Sequence, residues 1–239
     1  MLINTKAIVL SKLKYRDYDL IVKCYTQENG VISLLVKGVL KPKRSKFKAA
    51  YFQPLSILDV IVDFKEKRSL QYFKELKIAY NFSSTQSNII KSTIAMFLAE
   101  ILNSTLIEEE QNKTLYNFLE SSFVFFDQSE LNPNFHLSFL LELSKYLGFY
   151  PDTSSIDQPY FNMEEGKFQL SKTNSNCITG QNLIAFKELL GTKFDKSKLL
   201  SINTAQKREL LSMILLYFKL HLDGFKHPKS VVVLNQVFT

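Results

Sequence analysis

The stretch Lys23-Cys24-Tyr25-Thr26-Gln27-Glu28-Asn29-Gly30-Val31-Ile32-Ser33-Leu34-Leu35-Val36 decides how the chain begins to fold. Two apolar runs flank Asn29-Gly30, and both turn residues tolerate positive φ, so the stretch reads as a β-hairpin. Upstream, residues 3–13 and 19–26 are rich in Ile, Val and Leu with partial alternation, the pattern of strands. A basic and aromatic connection, Lys12-Leu13-Lys14-Tyr15-Arg16-Asp17-Tyr18, joins them. Downstream, residues 53–64 and 69–80 read as two further strands, separated by Lys65-Glu66-Lys67-Arg68.

Five strands within about eighty residues, with no long helix among them, suit a small Greek-key barrel of the OB type. An SH3-like barrel is the nearest competitor on pattern alone. Directly after the third strand comes Lys37-Gly38-Val39-Leu40-Lys41-Pro42-Lys43-Arg44-Ser45-Lys46-Phe47-Lys48. Six of these twelve residues are basic and none is acidic, so the connection calls for a polyanion.

Charge is unevenly spread. Residues 1–80 hold sixteen Lys and Arg against seven Asp and Glu, a balance of +9, whereas the remainder holds fourteen against sixteen, a balance of −2. One cationic domain beside a neutral one points to a nucleic-acid or anionic-surface contact made by the first third. An apolar fraction of 46% is enough for packed cores. Cys24 and Cys177 are too far apart in sequence for a metal-binding pair, and two cysteines make no disulfide framework. No run approaches the ~20 apolar residues of a membrane helix, and Ala7-Ile8-Val9-Leu10 is too short for a signal-peptide core. The expectation is a cytoplasmic protein.

The periodicity changes at Asn81. Ile89, Ile90, Ala95, Met96, Phe97, Leu98, Ile101 and Leu102 recur at helical spacing, and Leu115 to Phe125 suggest a second helix. Asn132-Pro133 signals a third helix, which Gly148 ends. Residues 149–180 read as a small hairpin inserted between helices. Helical signals return over 181–190 and 204–222, the latter with Asn203 and Gln206 as a capping pair, and Val231–Phe238 closes the chain as a short helix or strand. The expected organisation is an α+β chain: an OB barrel over 1–80 and an all-helical domain over 81–239, with the insertion at 149–180.

In an OB barrel the face of strands 2–3, with the first and fourth loops, is the usual oligonucleotide site. Lys12, Lys14 and Arg16 belong to the first loop on this reading, and Lys65, Lys67 and Arg68 to the fourth. With Lys37, Lys41, Lys43, Arg44, Lys46 and Lys48 they form three basic clusters expected on one face. A solvated surface loop is the bland alternative. The one-signed charge inside a folded domain, with Phe47, Tyr51 and Phe52 close by, favours binding. Binding of this kind is tolerant of sequence, because cations neutralise phosphates and aromatics stack on any base. Tyr15 is the best stacking candidate, ahead of Tyr18 and Phe47.

Signals for catalysis are weak, and the chain is expected not to be an enzyme. No Gly-Lys-Ser/Thr phosphate loop occurs. His136 reads as a packed or helix-surface residue, and His221, Asp223 and His227 lack further ligands at metal spacing. Glu108-Glu109-Glu110 reads as a solvated helix start. No metal and no cofactor is expected. An RNA-binding OB protein of translation or RNA processing is the alternative that composition leaves open.

Ala7-Ile8-Val9-Leu10, Tyr15 to Leu20, Thr26 with Gly30, Lys37-Gly38, Lys41 to Ser45 and Gln53-Pro54 together resemble the RecO family of bacterial recombination mediators. His221-Leu222-Asp223-Gly224-Phe225 and Pro228-Lys229-Ser230 resemble the family's ending. The resemblance implies an OB fold followed by a helical domain. It implies binding to single- and double-stranded DNA and annealing of complementary strands. It also implies work with RecR to load RecA onto DNA coated by single-strand-binding protein, whose acidic C-terminal tail is contacted. The family's basic DNA-binding loop corresponds by position to Lys37, Lys41, Lys43, Arg44 and Lys46.

Some members of that family hold zinc with four cysteines in the inserted region. Here Cys177 stands alone between 149 and 180, so the hairpin is expected to be held by packing through Phe161, Met163, Phe168 and Leu170. The density of Phe and Leu in the neutral domain suggests an apolar groove for a partner peptide.

Overall fold

The computed structural model describes residues 1–42, 47–106, 111–192 and 194–238. The chain forms two compact units. One comprises Met1–Ser129 with Pro228–Leu234, the other Glu130–His227 with Asn235–Thr239.

The first unit opens with five antiparallel strands: β1 (Leu2–Tyr15), β2 (Asp19–Thr26), β3 (Gly30–Val36), β4 (Ile57–Asp63) and β5 (Tyr72–Tyr80). They lie in the order β3-β2-β1-β4-β5. A parallel bridge between Leu34 and Gln71 joins β3 to the start of β5 and closes the sheet into a barrel. Its main-chain bonds are Leu35 N–H to Gln71 O (2.9 Å) and Gln71 N–H to Ser33 O (2.7 Å). That closure is the OB topology expected from the sequence.

The hairpin differs in detail from the simple Asn-Gly turn. Thr26 pairs with Gly30, so the loop is Gln27–Asn29, and Gly30 takes the positive φ of 59°. Asn29 does not adopt positive φ; its amide donates to Thr26 Oγ1 at 3.0 Å. This three-residue loop with a left-handed glycine is another common hairpin solution.

Alternation fills the barrel. Ala7, Val9, Leu20, Val22, Cys24, Ile32, Leu34 and Val36 point inward, with Leu58, Val60 and Val62 from β4. Phe52, at the end of a short 3-10 helix (Ala49–Phe52), is fully buried in the same core. Residues 53–56, expected to begin the fourth strand, instead form a turn in which Leu55 adopts φ 64° and bonds Val9 O through its amide. The strand starts at Ile57.

Helices α1 (Ser84–Ser87), α2 (Ile89–Thr105) and α3 (Lys113–Gln128) belong to the same unit. Asn88 and Asn112 cap α2 and α3 by accepting from Ile90, Lys91 and Leu115 amides. The Glu108-Glu109-Glu110 run lies outside the described residues.

Two buried charges tie these helices together. Lys91, only 3% exposed, donates from Nζ to the carbonyls of Phe126 (2.8 Å), Asp127 (3.1 Å) and Ser129 (2.6 Å) and to Ser84 Oγ (2.7 Å). It thereby satisfies the carbonyl end of α3, where a cation is also favoured by the helix dipole. Asp127 in turn accepts from the Thr85 and Ser83 amides at 2.7 and 3.1 Å, at the start of α1. Burial opposes the Asp127 charge, but those amides outweigh it and hold its carboxyl below the ordinary range.

The Pro228-Lys229-Ser230 segment has a physical role as well. Glu100 on α2 accepts from the Lys229 and Ser230 amides, both at 2.9 Å, and from Ser230 Oγ at 2.6 Å. These bonds anchor the start of α7 (Val231–Val237), which settles the closing segment as a helix.

The second unit contains α4 (Phe135–Tyr146), the three-stranded sheet β6 (Tyr160–Asn162), β7 (Lys167–Gln169) and β8 (Cys177–Ile178), then α5 (Gly180–Gly191) and α6 (Thr204–His221). Asn203 caps α6 through the Gln206 amide, as expected. α4 opens two residues after Pro133. Asn132 and Asn134 are buried there and donate to Ser197 Oγ and O at 2.8 and 2.9 Å, which binds the helix start to the 3-10 segment Phe194–Leu199.

The inserted hairpin rests on an aromatic cluster. Phe161 lies 4.8 Å from Phe168, 4.9 Å from Phe186 and 5.8 Å from Tyr217 between ring centroids. Met163 is buried too, but Leu170 is 76% exposed and takes no part. Leu170 lies just past the end of β7, where strand alternation no longer sets which way a side chain faces, and it points to solvent.

Candidate nucleic-acid interface

Three connections that carry basic residues meet through their described parts. β1 runs on to Tyr15, so the first loop is only 16–18. Lys12 and Lys14 are therefore strand residues, paired with the core positions Val22 and Leu20, rather than loop residues as the sequence suggested. They stand at the projecting tip of the β1–β2 hairpin, both exposed, with Lys12 Nζ 3.3 Å from Gln53 Oε1. Arg16 remains in the loop, at φ 52°, its guanidinium 5.2 Å from the Tyr15 ring.

The first loop is bonded to the basic stretch. Asp19 Oδ1 accepts from the Gly38 amide at 2.7 Å, and Tyr18 O accepts from the Leu40 amide at 2.9 Å. Gly38 at φ 66° makes the tight reversal that brings the two together. Lys37, Lys41 and Lys48 are exposed; Lys43, Arg44 and Lys46 lie outside the described residues.

The fourth loop is ordered by a single side chain. Gln71, 4% exposed, accepts from the Lys65 amide at 3.0 Å and donates to Lys65 O and Arg68 O at 2.9 and 2.6 Å. Lys65 and Lys67 project into solvent from this braced loop, while Arg68 Nη1 reaches Asp63 O and Oδ2 at 3.3 and 3.4 Å. Lys37 Nζ and the Arg68 guanidinium lie 5.0 and 4.9 Å from the ring centroid of Tyr72. The stretch after β3 and the fourth loop thus meet on one aromatic ring.

Tyr72 was not singled out from sequence. The signal was its place four residues after Arg68, the end of a basic cluster, near a strand start. Phe47, a sequence candidate for stacking, packs against the barrel core and meets Phe73 at 5.2 Å, so it is a core residue. Tyr15 is half-buried and Tyr18 is 46% exposed.

Part of the expected strand 2–3 face is covered. On β2, Tyr25 stacks on Tyr116 of α3 at 6.1 Å, and Lys23 Nζ donates to Asn103 O of α2 at 3.2 Å. Lys6 pairs with Glu120 at 2.7 Å. Helices therefore occupy the middle of that outer surface, which leaves the loop end open.

The same unit has an apolar cleft of about 630 Å³ between residues 50–56 and α2, walled by Pro54, Leu55, Phe82, Ile89, Met96 and Val233. It lies beside the barrel rather than wholly within helices, the setting expected for an apolar groove.

Several titratable groups away from the loops are packed. Cys24 is buried and its thiol is pushed up to about 12 by desolvation. His221 bonds Met163 O through Nε2 at 2.8 Å and lies parallel to Phe149. No three His, Cys, Asp or Glu residues gather to hold a metal ion among the described residues. No helix among them is long and apolar enough to cross a membrane.

His136 is fully buried on α4, stacked 5.4 Å from Phe238, and burial, aided by nearby Lys207, lowers its pKa to about 3. The native state therefore holds it neutral while the unfolded chain protonates near its ordinary value of 6.5. Its stabilising contribution is complete above pH 6.5 and shrinks by about 1.4 kcal/mol per pH unit as the pH falls below that toward 3. Urea titrations between pH 7 and 5 check this: His136→Phe is expected to flatten the pH dependence, and an unchanged slope would contradict it.

A five-stranded OB barrel with cations gathered at its loop end, continued by helices and a small second sheet, defines an OB-fold protein with a helical C-terminal region. Two family models match this layout: Recombination protein O N terminal over residues 1–82 and Recombination protein O C terminal over 86–230. Proteins called DNA repair protein RecO in Christiangramia forsetii and Flavobacterium johnsoniae are each 44% identical to the chain, covering 100% of both partners. One from Bacteroides fragilis is 34% identical over 242 residues, with the same full coverage. The chain belongs to the RecO family of DNA repair proteins.

Proposed function

We propose that this chain is a non-enzymatic DNA-binding mediator of recombinational repair, which binds single- and double-stranded DNA at the loop end of its barrel and anneals complementary strands. The observation that carries the reading is the meeting of Lys37 and Arg68 at Tyr72, with the first loop bonded to residues 38 and 40. Bringing two strands together requires screening their mutual repulsion. A net-cationic surface on a rigid barrel does so without nucleotide hydrolysis.

Family membership supports partners beyond DNA. RecR, the acidic C-terminal tail of single-strand-binding protein and, through them, RecA are the partners we assign, in the cytoplasm at damaged DNA. DNA rather than RNA is the polyanion that the repair family favours.

The test is a salt titration of wild-type protein on labelled single-stranded DNA, with unlabelled DNA and RNA of matched sequence as competitors. Affinity should fall linearly with the logarithm of salt concentration, and DNA should compete at least as well as RNA. Binding insensitive to salt, or a strong preference for RNA, would overturn the reading.

A further inference from the structure

Tyr72 sits in an arrangement that neither the barrel core nor the family resemblance requires. Its ring is 39% exposed at the first residue of β5, and two cations from different segments stand about equally far from it, Lys37 Nζ at 5.0 Å and the Arg68 guanidinium at 4.9 Å. The two cations are held differently. Arg68 is fixed by Asp63, and the loop that carries it is braced by the buried Gln71 amide. Lys37 is exposed, with its ammonium free to swing on a flexible stem.

The ring itself is preorganised. The main chain of the preceding residue, Gln71, is locked into β3 by its bonds to Ser33 and Leu35, and Tyr72 pairs with Asp63 of β4. A group held this firmly loses little freedom when a ligand lands on it. An exposed cation–π contact is weak, because water competes for the ammonium. A ligand that offers a flat π-face to the ring and an anion to the displaced cation satisfies both at once. A nucleotide is such a ligand.

We infer that Tyr72 is a stacking platform for one unpaired base of a bound strand, with Lys37 and Arg68 taking the phosphates on either side of that base. The inference rests on the nucleic-acid reading of the barrel end and names a residue and a strand state within it. On binding, the Lys37 ammonium leaves the ring for a phosphate, the base takes its place, and Arg68 stays where Asp63 holds it. A duplex has no free base face to offer, so the platform acts on single strands only. Tyr72 then separates the two modes of binding: cations serve both, and the ring adds affinity for single strands.

The chain contains no tryptophan, so Tyr72→Trp places a lone indole reporter at the platform. The full-length variant is titrated with oligothymidylate and with an abasic strand of equal length, while the anisotropy of labelled strands records binding separately. Quenching that saturates with oligothymidylate binding, and that is absent when the abasic strand binds, supports the platform. Equal quenching by both, or none with either while anisotropy shows binding, overturns it. If neither strand binds wild-type protein, the nucleic-acid reading fails first and the platform with it.

A second pair of variants separates stacking from charge. Tyr72→Leu should weaken single-strand binding by roughly tenfold, the scale of one lost base stack, with the salt slope and duplex affinity unchanged. Tyr72→Phe should keep wild-type affinity. Lys37→Ala, by contrast, should lower the salt slope by about 0.7 on single strands. A Tyr72→Leu protein that binds single strands as wild type does, or that loses duplex binding equally, contradicts the inference.

Discussion

Lys91→Met is expected to be the most damaging single substitution in the first unit, lowering its stability by about 3 kcal/mol or more. The methylenes of lysine are replaced by a side chain of similar length, so packing is nearly conserved. What disappears is the ammonium that three carbonyls and the Ser84 hydroxyl share. Each carbonyl left buried without a donor costs about 1–3 kcal/mol, and those of Phe126 and Asp127 are the more deeply buried. The Asp127 carboxylate also loses a nearby positive charge, although its amide bonds from Ser83 and Thr85 remain.

Urea denaturation followed by far-UV circular dichroism reads the effect. Lys145→Met is the control. Lys145 is exposed, pairing with Glu142 at i,i−3 and standing over the Tyr150 ring, both surface contacts, so its loss should stay within about 1 kcal/mol. Equal midpoints for the two variants would show that the buried ammonium is not what closes α3.

The second large effect concerns binding. Reversing Lys41, Lys43 and Arg44 to Glu changes each position by two charges and takes the chain from +7 to +1. On the proposed reading, this turns three phosphate contacts into three repulsions. The salt slope on single strands should fall by about 2, and affinity near 0.1 M salt should drop by at least roughly a hundredfold. Lys41 is exposed and none of the three belongs to a packed core described above, so the variant is expected to unfold at the wild-type urea concentration. That combination separates a binding defect from a folding defect.

Much of the fold was legible because it is written locally. The Thr26–Gly30 hairpin, the inward alternation of β2 and β3, and the Asn203 cap each depend on residues within a few positions of one another. The helix–strand change at Asn81 was visible for the same reason. Features set by distant partners were not. Lys91 looks like an ordinary polar position on an amphipathic helix, and only the end of α3, some thirty-five residues on, makes it buried.

The candidate site shows the same division. Composition located the cationic third of the chain, and the loop pattern led to the expectation that its basic clusters share one face. Strand length then moved Lys12 and Lys14 from the loop onto β1, because the β1–β2 ladder continues out to Tyr15 and Asp19. Phe47, expected as a stacking candidate, packs on the core for a related reason. Which aromatic faces the core depends on how the chain between β3 and β4 folds back, and no short-range pattern records that path. Leu170 was misjudged because the three-residue strand ends at Gln169, one residue before the alternation could have turned it inward.

The most direct measurement is the rate at which two complementary labelled oligonucleotides anneal, followed by energy transfer at several salt concentrations. Wild-type protein is predicted to accelerate annealing at low salt, with the acceleration fading as salt rises. The Lys41, Lys43, Arg44→Glu variant is predicted to give the spontaneous rate throughout. A variant that anneals strands as fast as wild type at the same salt would contradict the account.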